Sequence, residues 1–137
     1  MQHSLSPLLG CLSLALACTF HASEVTAQSY ETTSRCFFVY AAVVEVGRDR
    51  QHAELFQYGQ HRMNWFVPYL EVRQTDVAFS TIFNADLAQN KQLAEKTKAA
   101  IMHALSSGDR AEFDSAMQQS IECDLALGMP VDDAPNP

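Results

Sequence analysis

A stripe of polar and titratable side chains at helical spacing offers the first candidates for chemistry. Glu54, Tyr58, His61 and Trp65 recur every three or four residues, so a helix would place them on one face. A glutamate beside a histidine can carry out general acid–base catalysis. Catalysis also needs a nucleophile or an oxyanion donor, and the sequence places neither beside the stripe. The pattern is therefore typical of the half-exposed shoulder of an amphipathic helix.

Asp49 and His52 form the nearest approach to a metal signature. A carboxylate and an imidazole three residues apart share one helix face, as in the Glu-x-x-His elements of di-iron helical bundles. Those sites need two such elements and two further inward-facing carboxylates, and this sequence has one element. We therefore expect no metal site, and no motif in the chain predicts a cofactor.

Glu45 is a further candidate because it lies between two valines in the most apolar stretch of the chain after residue 27. A buried carboxylate would need a partner, which Tyr40, Arg48 or Arg62 could supply. The alternative is an exposed position that needs no partner. The sequence leaves both alternatives open.

The first 27 residues have the composition of a secretory signal peptide. Residues 5–17 form an apolar run, shorter than the roughly twenty residues of a membrane span, and Val-Thr-Ala at residues 25–27 is a leader peptidase site. We expect cleavage after Ala27 and a mature protein that is periplasmic or secreted. The motif at residues 15–18 leaves open a lipoprotein alternative, in which Cys18 is lipidated.

The remaining 110 residues are enough for one small domain. We place a helical domain at residues 28–130 and a disordered tail at residues 131–137. The whole chain has a formal net charge of −7, and the leader contains one acid and no Lys or Arg, so the mature charge is −6. An acidic chain without a Lys/Arg cluster is a poor candidate for binding nucleic acid or anionic lipid.

Cysteine usage predicts one disulfide bond. Of the four cysteines, Cys11 and Cys18 leave with the leader, and Cys36 and Cys123 remain as an even pair in a small exported domain. The sequence has no Cys-x-x-Cys motif, which excludes a thioredoxin-type redox site and covalent haem attachment.

Apolar periodicity predicts helices throughout the mature chain. The first begins near a cap at residues 32–34 and ends or bends at Gly47. The second follows a cap at Asp49. It kinks or ends near Pro68, because proline removes a backbone donor and clashes with the preceding turn.

The second half of the chain contains two or three further helices. Residues 75–106 form one long helix or two shorter ones that separate at residues 84–86. A capping box at Asp109 begins the last helix, Leu125 is the last apolar position of its buried face, and Gly128 ends it.

These helices predict the fold class. Antiparallel helices joined by short turns bring the start of the first helix and the end of the fourth to the same end, so Cys36 and Cys123 meet. With three helices, the two cysteines would lie at opposite ends of the bundle. We therefore predict an all-α, antiparallel four-helix or five-helix bundle closed by one disulfide.

Residues 62–69 concentrate the side chains that favour protein interfaces. Helical spacing assigns Phe66 to the core and places Trp65 and Tyr69, one turn apart, on another face. The predicted partner- or ligand-binding residues are Trp65, Tyr69, Arg62, Tyr58 and His61.

Three classes of function agree with these observations. The first is a non-enzymatic periplasmic partner protein, of the inhibitor, immunity or envelope-accessory type, that binds another exported or envelope protein. The second is a carrier of a small apolar ligand between the helices. An enzyme is the least favoured, because Gly-x-Ser-x-Gly, a phosphate-binding glycine loop and His-Glu-x-x-His are all missing from the sequence.

Overall fold

The computed structural model describes the backbone of residues 12–73, 75–131 and 134–137, and side chains from residue 29 onward except residues 72–74 and 132–133. Residues 1–11 of the predicted signal peptide lie outside the described residues. The regular structure within the described ranges is all helical, which confirms the predicted all-α class. The helices are α1 (Leu12–Asp49), α2 (Ala53–Arg73), α3 (Val77–Ala85), α4 (Leu87–Ser107) and α5 (Arg110–Leu127).

The first helix has no cap where one was predicted. Because α1 is already helical from Leu12, the prediction that it begins at residues 32–34 is wrong. Thr33 lies inside the helix, and its Oγ1 donates to the carbonyl oxygen of Ser29 at 2.7 Å. A threonine hydroxyl can bond the carbonyl four residues earlier in a continuous helix as well as cap a new one, so the residue type alone does not mark a boundary.

Two glycines allow α1 and α2 to pack closely. A Cβ atom on Gly47 would collide with the backbone of Phe56, and one on Gly59 would lie 2.8 Å from Val44 Cγ2. Of the two predicted alternatives, an end or a bend at Gly47, the end is excluded, because α1 continues to Asp49. Gly47 is needed for the helix contact, where a larger residue would push α2 away.

The start and the end of α2 differ from the prediction, and the alternative of a kink at Pro68 stays a prediction. Asp49 ends α1, and the cap before α2 is His52, whose Nδ1 accepts from the backbone N–H of Leu55 at 3.2 Å. The helix does not end near Pro68 but continues to Arg73. Proline costs a helix about 3 kcal/mol, and buried ring contacts on both sides of Pro68 offset this cost.

The remaining helix boundaries agree with the sequence. The chain breaks at Asp86 between α3 and α4, so residues 75–106 form two helices. Asp109 caps α5, because its carboxylate accepts from the N–H groups of Ala111 and Glu112. Gly128 ends α5 in the left-handed conformation with φ 69°, which a residue with a side chain adopts only with strain.

The disulfide between Cys36 and Cys123 is present, as predicted, and both cysteines are buried. It joins α1 to α5 near the end of the fold at which α5 terminates. The helix that contains Cys36 is the central element, because α1 packs against each of the other four helices.

The core consists of two groups of buried side chains arranged along α1. One group joins α1 to the first half of α2, to α4 and to the first half of α5; it consists of Val43, Val46, Leu55, Tyr58, Ile101, Ala104, Phe113 and Met117. The other surrounds the disulfide and consists of Cys36, Val39, Tyr40, Phe66 and Cys123. The burial of Phe66 confirms its predicted place in the core.

The end of the chain, expected to be disordered, contacts the helices in the residues that are described. Pro135 is buried, the Asn136 N–H donates to Glu54 Oε2, and the Asn136 side chain accepts from Arg110. Within the described residues, no helix combines the length and apolar character needed to cross a bilayer.

Candidate functional site

A charged group lies at the centre of the fold, beside the disulfide. The guanidinium of Arg62 on α2 meets the carboxylate of Asp124 on α5, with Nη2 to Oδ2 at 3.0 Å and Nε to Oδ1 at 3.1 Å. Both side chains are 0% exposed. Two tyrosines complete the group: the hydroxyl of Tyr40 donates to Oδ1 at 2.5 Å and that of Tyr58 to Oδ2 at 2.7 Å. We call these four residues the buried charge cluster.

The tyrosines of the cluster are held in their neutral form. Burial and the hydrogen bond to Asp124 raise the pKa of Tyr40 above its ordinary value. Burial likewise raises the pKa of Tyr58, helped by Asp124 and opposed by Ser120 and Arg62. Both hydroxyls therefore remain donors to the carboxylate at neutral pH.

The cluster also fixes the chain that follows α5. Nη2 of Arg62 donates to the Pro130 carbonyl oxygen at 2.7 Å, and its guanidinium carbon lies 4.1 Å from the centre of the Tyr58 ring. In the described part of the chain, every buried side-chain nitrogen or oxygen has at least one hydrogen-bond partner. A buried ion pair whose polar atoms all have partners holds the elements that carry it in one arrangement, so we interpret the cluster as a positioning element.

An open cleft lies beside the cluster, between α2 and the segment that follows α5. Its volume is about 410 Å³. We call it the Trp65 cleft, and it is lined by His61, Arg62, Asn64, Trp65, Leu127, Gly128, Met129 and Pro130.

Trp65 lines this cleft and packs against a neighbouring ring. Its ring stacks on Tyr69 with the ring centres 5.5 Å apart and the planes 18° from parallel, and it remains 40% exposed. Tyr69 is half-buried and meets Phe79 of α3 edge to face. A large ring that is exposed and already ordered loses little freedom on binding, which favours contact with another molecule.

The solvent side of α2 has no charged side chain over four turns. Between Glu54 and Glu71 the ionisable residues besides tyrosine are His61 and Arg62, and Arg62 is buried. The exposed side chains there, which we call the α2 outer face, are Gln57, Gln60, His61, Asn64, Trp65, Val67 and Pro68. By contrast, α4 and α5 expose Lys91, Glu95, Lys96, Arg110, Glu112, Asp114 and Glu122.

The structure brings the five predicted binding residues together on α2 but gives them different environments. Trp65, His61 and Arg62 line the Trp65 cleft, and Tyr69 supports Trp65 from the next turn. Arg62 and Tyr58 belong to the buried charge cluster, so a partner would reach their polar groups only if the cluster opened. The binding role of these residues remains a prediction.

Glu45 has a partner that the sequence analysis did not propose. Its carboxylate accepts from Lys98 of α4 at 3.0 Å, and this bond raises the pKa of the lysine. The side chain of Glu45 is 45% exposed, so it does not need Tyr40, Arg48 or Arg62, which all bind other carboxylates.

Glu54, Tyr58 and His61 of the candidate catalytic stripe each hydrogen-bond to a residue outside that stripe. Tyr58 donates to Asp124, the backbone of Asn136 donates to Glu54, and the guanidinium of Arg62 donates to His61 Nδ1 at 3.3 Å. Within the described residues, no three His, Cys, Asp or Glu side chains lie close enough to share a metal ion.

A second cleft of about 510 Å³ lies between α1 and α4. Its floor is apolar and its rim carries charges of both signs. The lining residues are Phe37, Phe38, Ala41, Ala42, Glu45, Lys91, Ala94, Glu95 and Lys98.

Comparisons of the chain with protein-family models, with curated proteins and with solved structures gave no match.

Proposed function

We propose that this chain is a non-enzymatic partner protein of the periplasm, of the inhibitor, immunity or envelope-accessory type, which binds another exported or envelope protein through α2. The observation that carries the proposal is the ordered, exposed Trp65 beside an open cleft, on a helix face without charged side chains. Interface cores are enriched in aromatic residues and depleted in charged ones, and binding energy concentrates in a few such rings.

The export of the chain is part of the same proposal. Residues 1–27 serve as a signal peptide, and the mature protein begins at residue 28. A buried disulfide supports this compartment, because disulfides persist in oxidising environments and are rare in the cytosol. N-terminal sequencing of the exported protein should give a start at Gln28. A start at an acylated Cys18 would instead show a lipoprotein.

We also propose that the helices pack as an antiparallel bundle of four legs, in which α3 and α4 form one leg. Gly47 of α1 lies against Phe56 of α2, and Val44 of α1 lies against Gly59 of α2. Residue numbers therefore rise along α1 where they fall along α2, so the two helices run in opposite directions. The hydrogen bond from Asn90 of α4 to a serine of α1 supports the placement of the third leg along α1. In such a bundle, the α2 outer face points away from the core.

The binding proposal is tested by capturing partners from periplasmic extract with the purified mature protein. Trp65→Ala should weaken capture about fivefold or more, as expected for truncation of an interface ring, with a nearly unchanged melting temperature. Tyr69→Ala should weaken capture to a similar degree and also lower the melting temperature, because this ring packs on Phe79. Leu125→Ala is the matched control, because Leu125 is a large apolar side chain on α5 that is 66% exposed. If Trp65→Ala instead destabilises the fold by the roughly 3–5 kcal/mol typical of a core aromatic, the ring packs the protein and the proposal fails.

A carrier of a small apolar ligand is the second candidate, and the cleft between α1 and α4 favours it. Its volume lies in the range of ligand pockets, and its floor contains Phe37 and Phe38. Native mass spectrometry of the purified protein distinguishes the two functions, because a carrier retains a bound small molecule.

A further inference from the structure

The α2 outer face has the chemistry of a surface that can meet a copy of itself. In an isologous interface the same patch occurs on both subunits, so a side chain near the two-fold axis lies close to its own copy. Charged residues at such positions would place like charges together, which is strongly unfavourable in an interface. Amide side chains avoid this problem, because each carries both a donor and an acceptor.

The middle of the α2 outer face fits this requirement. Gln57, His61, Asn64 and Pro68 follow one another at spacings of four, three and four residues, so they form its central line. Gln60 donates to the side-chain oxygen of Asn64 at 3.2 Å, which leaves the Asn64 amide N–H groups facing solvent. Trp65 and Val67, 40% and 55% exposed, flank this line on opposite sides and supply apolar area.

The negative net charge of the chain affects which faces two copies can bring together. Two copies that each carry a net charge of −7, or −6 after loss of the leader, repel one another wherever their acidic surfaces meet. The exposed faces of α4 and α5 carry charges of both signs, with four acids (Glu95, Glu112, Asp114 and Glu122) against three bases (Lys91, Lys96 and Arg110). The uncharged α2 outer face allows close approach without direct contact between like charges.

We propose that the α2 outer face is the interface of a homodimer, in which the α2 helices of two copies cross near Asn64. This inference goes beyond the proposed function: it concerns the same face, but it names a second copy of the chain as the occupant in place of a different protein. In the dimer, Trp65 of each copy covers apolar surface at the edge of the contact, and the amides of Gln60 and Asn64 bond across the axis.

Sedimentation equilibrium of the mature protein over a range of concentrations tests the proposal. The wild type should show a concentration-dependent dimer. Asn64→Asp, which can still accept from Gln60, should raise the dimer dissociation constant at least tenfold because two carboxylates then meet. Asn84→Asp on α3 makes the same chemical change at an exposed helical position away from α2 and should leave the dissociation constant unchanged.

A charge-swap experiment tests whether residue 64 lies at the axis. A mixture of Asn64→Asp and Asn64→Lys proteins should dimerise more tightly than either variant alone, because the mixed pair brings opposite charges together. Circular dichroism confirms that each variant is folded. A wild type that remains monomeric at all concentrations overturns the inference. Equal weakening by the two aspartate substitutions, or no gain on mixing, overturns it as well.

The outcomes also separate this inference from the proposed function. A monomeric protein that captures a different protein through Trp65 overturns the homodimer and leaves the proposed function in place. A dimer sensitive to Asn64→Asp that captures nothing else supports the homodimer, and the heterologous partner of the proposed function then fails.

Discussion

Replacing both bridge cysteines by alanine should lower the free energy of unfolding by about 4–5 kcal/mol. The disulfide closes a separation of 87 residues, and the chain-entropy model gives about this loss for a loop of that length. Small domains have total stabilities of only about 5–15 kcal/mol, so the loss is a large part of the whole. The melting temperature should fall by at least about 15 °C.

Urea unfolding of the wild type and of the Cys36→Ala, Cys123→Ala double variant measures this effect. Reducing agent should destabilise the wild type and leave the double variant unchanged, which serves as the control. Native, non-reducing thiol labelling should modify neither cysteine, because both are buried and bonded. Full labelling of both cysteines, or equal stabilities of the two proteins, would contradict the prediction.

Substitution of Asp124 by asparagine should destabilise the fold by about 3–5 kcal/mol. The asparagine keeps the size of the side chain but removes the negative charge, so the guanidinium of Arg62 is left buried without its counter-ion. It also replaces one acceptor oxygen by a donor, which then faces other donors, including the hydroxyls of Tyr40 and Tyr58.

Asp114→Asn is the matched control for this prediction. Asp114 lies on the same helix and pairs with Arg110 at 2.8 Å, but both side chains are more than half exposed, so its loss should cost no more than about 0.5 kcal/mol. Combining Asp124→Asn with Arg62→Met should recover part of the lost stability, since the unpaired charge is then gone. Equal small losses for Asp124→Asn and Asp114→Asn would show that the cluster adds nothing beyond a surface ion pair.

The ends of α5 and the disulfide were predicted correctly because each depends on the type of a few particular residues. Asp109 and Gly128 mark the ends of α5 because capping and left-handed backbone require particular residue types. The pairing of Cys36 with Cys123 was predicted from the even cysteine count that remains after the proposed removal of the leader.

The features that the sequence analysis missed depend on contacts between distant segments. The helix-ending tendencies of Gly47 and Pro68 are overridden by the packing of α2 on α1, which spacing along one helix does not reveal.

Asp124 was missed for a related reason. The buried positions Phe113, Met117 and Ser120 continue at helical spacing to Asp124. The apolar pattern instead assigned Leu125 to the buried face of α5, but Leu125 is 66% exposed. A carboxylate at the next core position of a helix is a signal for a buried partner such as Arg62.

The central claim, that the protein acts through the α2 outer face, is tested most directly by site-specific photo-crosslinking in the periplasm. A photoreactive amino acid at Gln60 lies on this face, and one at Gln92 lies on the exposed face of α4 as a control. We predict discrete crosslinked adducts from position 60 that disappear with Trp65→Ala, and none from position 92. Equal adducts from both positions, or none from position 60, would contradict the claim.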